Sequence, residues 1–273
     1  MLDLPARVHA ALVTDRREPA PGVFVIGFDA PELVRDTRPG QYLMAIPPSG
    51  ERCATALGVY EAEGKRASIL FFVTGKRTRE LSELHPGDRL DLVGPLGNGF
   101  DLRDDPRDVA IVAGGVGVAS VLLPAQRLAR SGARVRFYYG ARTARLLVDA
   151  DRFADAGCEL LLSTDDGTAG HYGFITDLLA RTARQLPDAI LACGPTPMLR
   201  AVGRVAGELG VRAQLSLEET FACGVGGCWG CVVPVARSSA QAPAFPQLDG
   251  ESDAVNARIC KEGPVFWADE LRW

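Results

Sequence analysis

The sequence predicts a multidomain protein in three parts: an antiparallel six-stranded β-barrel, a five-stranded parallel doubly wound α/β domain, and a small domain built around cysteines. Three observations carry that expectation. Up to about residue 102, short apolar runs are broken by turn residues with no convincing helix between most of them. From about 106, short apolar runs alternate with helical periodicity. Near the C-terminus, Cys223, Cys228, Cys231 and Cys260 gather around a glycine-rich stretch. Hydrophobic residues make up 47% of the 273 and charged residues 23%, the balance of an ordinary globular protein, and the length exceeds what one average core serves.

In the first part, strands are expected at 7–13, 23–28, 41–46, 55–60, 67–73 and 90–93, separated by clusters such as Glu18-Pro19-Ala20-Pro21-Gly22. Short strands of this kind close into a small barrel, which removes their free edges. One helical turn is expected at 78–84, ended by His85-Pro86-Gly87-Asp88. Arg52 and Thr55 form R-x-x-T on a strand, and Gly75 and Thr78 form G-x-x-T at the start of the helical turn. A guanidinium offers a forked donor to pyrophosphate oxygens and a helix N-terminus offers a second anion site, so these are candidate nucleotide contacts. Taken singly, each is an ordinary surface arginine or N-cap threonine.

In the second part, strands are expected at 108–113, 134–140, 159–163, 188–193 and 211–217, with helices at 118–130, 144–155, 173–185 and 196–209. Such alternation gives a parallel sheet covered on both faces, with ligands beyond the carboxyl ends of its strands. Gly114-Gly115-Val116-Gly117 follows the first strand and opens a helix, where backbone can approach a pyrophosphate, although the full G-x-G-x-x-G is absent. Cys193-Gly194-Pro195-Thr196-Pro197 repeats the arrangement at another strand end, with Thr196 placed as N-cap and Pro197 at the first helical position. Gly114, Gly115, Gly117, Cys193 and Gly194 are the candidate contacts of this half. An acidic residue for ribose hydroxyls, due about twenty residues after the glycines, is not evident; Tyr138-Tyr139-Gly140-Ala141-Arg142 stands there.

The third part holds C-x4-C-x2-C and a distant fourth cysteine, the spacing of plant-type 2Fe-2S ferredoxins. Gly224, Gly226, Gly227 and Gly230 leave a loop almost without side chains, free to curl closely and to aim backbone N–H groups at cluster sulfurs. A structural zinc is the rival reading, since Cys228-x2-Cys231 is half of a zinc-ribbon pattern, but no second knuckle follows. A disulfide pair in an exported protein is the third. Spacing and glycine filling favour the cluster, with Cys223, Cys228, Cys231 and Cys260 as ligands. The expected domains are then a barrel at 1–102, an α/β domain at 103–217 and a 2Fe-2S cluster domain at 218–273, with a flexible insertion rich in Ser, Ala, Gln and Pro at 236–253.

Composition excludes other classes. Seven cysteines, with Cys53, Cys158 and Cys193 scattered singly, suit a reducing compartment, and neither a leader-like start nor a run of eighteen apolar residues occurs. The chain reads as cytoplasmic. A net charge of −4 argues against nucleic acid as a partner. His9, His85 and His171 share no ligand spacing, and Phe266, Trp267 and Trp273 read as packing for the small C-terminal domain.

The motifs carry a resemblance over nearly the whole chain. R-x-x-T at 52–55, G-x-x-T at 75–78, Gly-Pro-Leu-Gly-Asn-Gly-Phe at 94–100, the glycine turn at 114–117, Thr-Asp-Asp-Gly at 164–167, Gly-Phe-Ile-Thr-Asp at 173–177, Cys193-Gly194-Pro195, the three-cysteine loop and Ile-Cys-Lys-Glu-Gly-Pro-Val-Phe at 259–266 are its elements. Together they resemble the iron-sulfur flavoprotein electron-transfer subunit of NAD-dependent dihydroorotate dehydrogenase, within the ferredoxin reductase superfamily. The resemblance implies FAD in the barrel, with Arg52 on its pyrophosphate, Thr55 near the isoalloxazine, and Gly75 and Thr78 on phosphate. It implies NAD on the sheet, NADH rather than NADPH as reductant, and a 2Fe-2S cluster on the four cysteines. It also implies an FMN-containing dihydroorotate dehydrogenase catalytic subunit as partner in a heterotetramer, working in pyrimidine biosynthesis. Trp229, at the centre of the cysteine loop, is the expected contact because aromatics are favoured as interface anchors; the rival reading packs it beneath its own loop. No acid–base constellation for an organic substrate is evident in this chain, which suits that division. The superfamily reuses the same module, so a hydrogenase- or sulfite-reductase-type oxidoreductase is the alternative partner. A zinc-stabilised nucleotide-binding module is the non-enzymatic alternative.

Overall fold

A computed structural model describes residues 6–49, 54–104, 106–182, 185–243 and 253–273. Arg52, Cys53 and half of the 236–253 insertion, residues 244–252, lie outside the described residues.

Strands β1 (Arg7–Ala20), β2 (Val23–Asp29), β3 (Tyr42–Ile46), β4 (Thr55–Glu63), β5 (Arg66–Phe72) and β6 (Arg89–Leu96) close in the order β1-β2-β5-β4-β3-β6, every pair antiparallel. The six-stranded barrel is borne out. Its hairpins turn where glycine supplies positive φ, at Gly22 (75°) between β1 and β2 and at Gly64 (60°) between β4 and β5. β1 runs seven residues past the expected strand, because register shifts at Val13/Asp15 and Arg17/Ala20 bend it around the closing barrel and expose its polar residues. Ile26, Phe28, Leu43, Val59, Ile69 and Leu92 fill the interior, each at 0% exposure. Two helices add Leu33 and Leu81 to that core: α1 (Pro31–Asp36), which the sequence did not signal, and α2 (Lys76–Ser82).

A second sheet begins with β7 (Asp108–Gly114), β8 (Arg134–Ala141), β9 (Glu159–Thr164), β10 (His171–Tyr172), β11 (Ala189–Cys193) and β12 (Ala213–Ser216), all parallel. The C-terminal segment forms a hairpin of β13 (Val232–Ala236) and β14 (Ala254–Arg258), then β15 (Val265–Trp267), which pairs antiparallel with β12. The order is β10-β9-β8-β7-β11-β12-β15, so the sheet has seven strands where five were expected. β10 is two residues long, too short for any periodicity, and β15 arrives from far along the chain.

Helices α3 (Leu122–Arg130) and α4 (Ala150–Asp155) cover one face, meeting Val109, Ile111, Phe137 and Leu191. Helices α5 (Ile175–Thr182) and α6 (Thr196–Leu209) cover the other, meeting Ala110, Val112, Tyr138 and Ile190. Successive strand residues face opposite ways, and both faces are buried, which is why the strands read as continuous apolar runs. The second face is also the core of the C-terminal segment. Tyr42 and Met44 of β3, Phe221, Cys231, Val233, Cys260 and Phe266 belong to one apolar cluster with α5 and α6. Phe266 and Trp273 therefore pack on the sheet rather than within a separate small core, with Arg200 of α6 stacked over Trp273 at 5.6 Å. No helix among the described residues is long and apolar enough to cross a membrane.

One buried carboxylate ties the barrel to the sheet. Asp149, immediately before α4, adopts φ 57° and its side chain is 8% exposed. It accepts hydrogen bonds from Arg17 Nη1 of β1 (2.7 Å), from Arg17 Nη2, and from the Tyr60 hydroxyl of β4 (2.7 Å). Arg152 with Glu61, and Arg130 with Glu63 at 2.8 Å, extend the joint outward. Burial pushes the Asp149 carboxyl up, but Arg17 and Tyr60 outweigh it and hold it below the usual carboxylate range. A lowered folded-state pKa contributes stability that is present above the ordinary carboxylate value and lost as pH falls through the lowered one. Asp149→Asn should therefore cost about 2 kcal/mol at pH 7, the size of a hydrogen bond to a charged group, and the gap to wild type should close in acid. Urea unfolding at neutral and acid pH measures it; an equal gap at both would contradict the ion-pair account.

Candidate functional site

The barrel meets the carboxyl ends of the sheet across a cleft of about 430 Å³ lined by β4, β5, the turn after β7 and the segment after β12. Thr55 lies on its wall, and Thr55 Oγ1 is buried without a hydrogen-bond partner among the described residues. A polar atom left orphaned inside a cleft suits a ligand that brings a polar edge to it. Thr78 also lines the cleft, but its hydroxyl is engaged: it takes the N–H of Thr74 (3.0 Å) and Gly75 (3.2 Å) and donates to Gly75 O (3.1 Å). Gly75 is thus the N-cap of α2 and Thr78 its third residue, which starts the helix two residues before the expected 78. The Cβ position of Gly75 has no neighbour within 4 Å, so its backbone is open to an approaching group.

A second cleft, about 780 Å³, adjoins the first and shares Phe72, Thr74 and Val116 with it. Gly114 and Gly115 line it, and so do Pro195, Pro197 and Met198 from the start of α6. The glycines divide by function. Gly115 has φ 53° and open space at its Cβ position, so its backbone faces the cleft bare. Gly117 lies behind, where a Cβ would stand 2.2 Å from Cys193 O; it lets β7 and β11 approach at the point where the strand order reverses. Gly194, at φ 157°, likewise touches Gly114 and Met198. The N-cap of α6 is Pro195, one residue before the expected Thr196. Of the two adjacent acids, Asp165 lines the cleft, while Asp166 is taken up by the Thr168 N–H (3.1 Å) and hydroxyl (2.6 Å).

Cys193 is fully buried, and burial pushes its thiol well above the ordinary range. The thiol points at Glu218 Oε1, 3.5 Å away. Glu218 opens onto the first cleft, and the protein walls around it raise its carboxyl above the usual value. The sequence did not single out Glu218, which looks like any acidic residue after a strand. Arg204, also on the second cleft, carried no signal either, whereas Phe174 and Asp177 there belong to the Gly-Phe-Ile-Thr-Asp motif at 173–177.

The cysteines fall into two neighbouring pairs, Cys223 beside Cys228 on the loop and Cys231 beside Cys260 beneath it. Cys231 and Cys260 are buried and Cys228 is exposed. Burial works against it, but the N–H groups of Val225 and Cys228, the Cys228 thiol and the N–H of Gly227 hold the Cys223 thiol down at about 6. Burial first, and then the neighbouring Cys231, push Cys260 up to about 12. Gly227 N donates to Cys223 Sγ at 3.3 Å and Cys260 N to Cys231 Sγ at 3.5 Å. Gly224 and Gly226 have positive φ, and a Cβ on Gly224 would meet Met44 of β3 at 2.5 Å. Soft sulfur donors, inward N–H groups and a loop that only glycine can trace fit an iron–sulfur group. Among the described residues, no three of these or other side chains converge as a metal site by themselves.

Barrel, parallel sheet and abutting clefts define a ferredoxin-reductase-like oxidoreductase fold. The chain matches the structure of an NADH-dependent reduced ferredoxin-NADP oxidoreductase with a TM-score of 0.81 and 29% identity, over 97% of this chain and 90% of that one. It matches the ferredoxin reductase in carbazole 1,9a-dioxygenase with a TM-score of 0.67 and 22% identity, over 77% and 68%. No protein-family model matches the chain. It is 34% identical over 260 residues to the dihydroorotate dehydrogenase B (NAD(+)), electron transfer subunit of Desulforamulus reducens, spanning 93% of this chain and 94% of that protein. The same subunit of Listeria monocytogenes is 34% identical over 246 residues, 88% and 90% of the two chains. The chain belongs to this family of dihydroorotate dehydrogenase B electron transfer subunits.

The division among the glycines is testable. Gly117→Ala should cost about 1–3 kcal/mol, as overpacking against rigid backbone does, since Cys193 O cannot yield. Gly115→Ala should be milder in stability, about 1–2 kcal/mol for a left-handed residue, yet should weaken dinucleotide binding. Thermal unfolding and a binding titration read both; equal stability losses would refute the assignment.

Proposed function

We propose that the chain carries electrons between NAD(H) and the FMN-containing catalytic subunit of dihydroorotate dehydrogenase, through FAD in the first cleft and a 2Fe-2S cluster on Cys223, Cys228, Cys231 and Cys260. The observation that supports it is contiguity. The second cleft shares Phe72, Thr74 and Val116 with the first, and Tyr42 of β3 lines the first cleft while its hydroxyl touches the cysteine loop.

In this reading residues 1–102 hold the flavin, 103–217 the nicotinamide nucleotide and 218–273 the cluster. When bound, the groups supply the redox chemistry, taking two electrons as a hydride and releasing them singly. The chain's own residues orient and insulate. Thr55 would offer its hydroxyl to the flavin ring and Gly75 its open backbone to the phosphates, with Thr78 shaping the α2 terminus beside them; Arg52, outside the described residues, is assigned to the pyrophosphate on the resemblance alone. Gly115 leaves the backbone bare for the dinucleotide pyrophosphate just after β7, while Gly114 lets Pro195 and Met198 at the α6 N-terminus close in beside it. Gly117, Cys193 and Gly194 bring the β7 and β11 loops together. Cys193 lies buried at the end of β11 behind Glu218, which lines the first cleft, the thiol able to donate its S–H to the carboxylate.

The partner would dock on the cysteine face, as the alpha-beta heterotetramer of the family resemblance implies. Val225 (54% exposed), Trp229 (40%) and Val232 (40%) form an apolar group there beside the exposed Cys228. Trp229 is held in place by φ 57° and by Arg258 stacked at 4.6 Å over its ring. A preformed aromatic of this kind is the usual anchor of an interface.

Purified without oxygen, the chain should contain about two irons and two labile sulfides; stoichiometric zinc without sulfide would overturn the cluster. Co-expressed with the catalytic subunit of its own host, it should copurify and reduce NAD with dihydroorotate. Trp229→Ala should weaken that assembly at least about tenfold, a hot-spot effect, with iron unchanged. Separate elution of the two chains, with no NAD-linked activity on mixing, would overturn the partner.

A further inference from the structure

Tyr42 occupies a position that no nucleotide or cluster motif accounts for. It lies on β3, 4% exposed, and its ring forms part of the first cleft. Its hydroxyl reaches out of the barrel to the cysteine segment, 2.7 Å from Gly224 O and 2.8 Å from Cys260 O. Gly224 follows Cys223 on the three-cysteine loop, and Cys260 is the distant fourth cysteine. One hydroxyl therefore serves both limbs of the cysteine cradle, which Arg258 Nη1 to Gly226 O (2.7 Å) and Ile259 N to Cys231 O (2.7 Å) also join.

The surroundings make this contact a fixed one. Phe221 packs on the Tyr42 ring at 5.1 Å between centroids, and Met44, two residues along the same face of β3, fills the space beneath Gly224. On the other side, Gly97 would place a Cβ 2.4 Å from Pro264 Cδ and 3.1 Å from Tyr42 Cε1. Asn98 closes the seam: its N–H donates to Gly263 O (2.8 Å), its Nδ2 to Val265 O (2.7 Å), and it accepts from Val265 N (3.1 Å). The cradle is clamped to the barrel strand that walls the flavin cleft, and Tyr42 is the side chain that touches both.

Resting on the proposed function above, we infer that Tyr42 is a positioning residue for electron transfer between the flavin and the cluster: its ring sets the cleft wall and its hydroxyl pins both limbs of the cradle at a fixed reach from it. The step it serves moves one electron from the reduced flavin to the cluster, oxidising the first and reducing the second by one electron. No bond forms or breaks at Tyr42, which keeps its proton. Removing the hydroxyl leaves two buried carbonyls without their donor, so the cradle relaxes while the ring still shapes the cleft.

The test uses Tyr42→Phe in the full chain purified with its cofactors, alongside Met44→Leu, which keeps the hydroxyl and changes only the packing beneath Gly224. Iron, labile sulfide and flavin are counted first; then flavin reduction by NADH is followed by stopped flow and cluster reduction by rapid-freeze paramagnetic resonance. Tyr42→Phe should reduce its flavin within twofold of wild type. Its cluster should be reduced at least fivefold more slowly, and the cluster's resonance line shape should change. Met44→Leu should match wild type in both. Cluster reduction within twofold of wild type and an unchanged line shape in Tyr42→Phe would overturn the inference, even if its unfolding temperature fell. Equal slowing in Met44→Leu would also overturn it, since packing beneath the cradle and not the hydroxyl would then be responsible. Wild-type protein that holds no iron or no flavin would overturn the proposed function as well, which separates the two failures.

Discussion

The account rests on the barrel being fixed against the carboxyl ends of the sheet. Asp149 does this with a side chain from one half buried in the other, in a left-handed backbone conformation that a non-glycine residue adopts only when its surroundings hold it there. Three hydrogen bonds from Arg17 and Tyr60 supply that hold. With the two halves fixed, Phe72 and Thr74 from the barrel side and Val116 from the sheet side become common walls of two clefts. Ligands in those clefts are then neighbours by construction.

The same logic continues toward the cysteines. β3 is a barrel strand on one side and a buttress for the cysteine loop on the other, through Tyr42 and Met44. β15 then ties the segment after Cys260 to the sheet through β12. The C-terminal segment is thus anchored to both halves, to the barrel by side chains and to the sheet by backbone pairing. That arrangement leaves the loop free to present Cys228 and Trp229 outward while Cys231 and Cys260 stay buried.

Much of this was legible in the sequence, where local rules govern. Turn residues and apolar runs gave the barrel, because each strand is short and bounded by turn residues, and half of the strand pairs (β1-β2, β3-β4 and β4-β5) join neighbours in sequence. The glycine turn after β7, the Cys-Gly-Pro loop after β11 and the cysteine spacing were marked by residue types with few other uses. What the sequence could not separate were residues whose role is set at a distance. Gly115 and Gly117 are two apart and read alike, yet one faces a cleft and the other abuts Cys193. Tyr42 looks like one more buried strand residue, and its partners lie 182 and 218 positions away. Asp149 and Glu218 read as ordinary surface acids, since nothing local announces Arg17 or the walls of a cleft. β10 and β15 escaped for the plainer reason that two or three residues carry no period.

The most direct measurement of the central claim is an anaerobic titration of the purified chain with NADH, followed by flavin absorbance and by paramagnetic resonance. A chain with both centres, arranged as the contiguous clefts and cradle require, should accept about three electrons, two at the flavin and one at the cluster. The resonance of a reduced 2Fe-2S cluster should grow in as the flavin bleaches. Saturation at about two electrons with no such resonance, in protein that carries zinc on its cysteines, would contradict it.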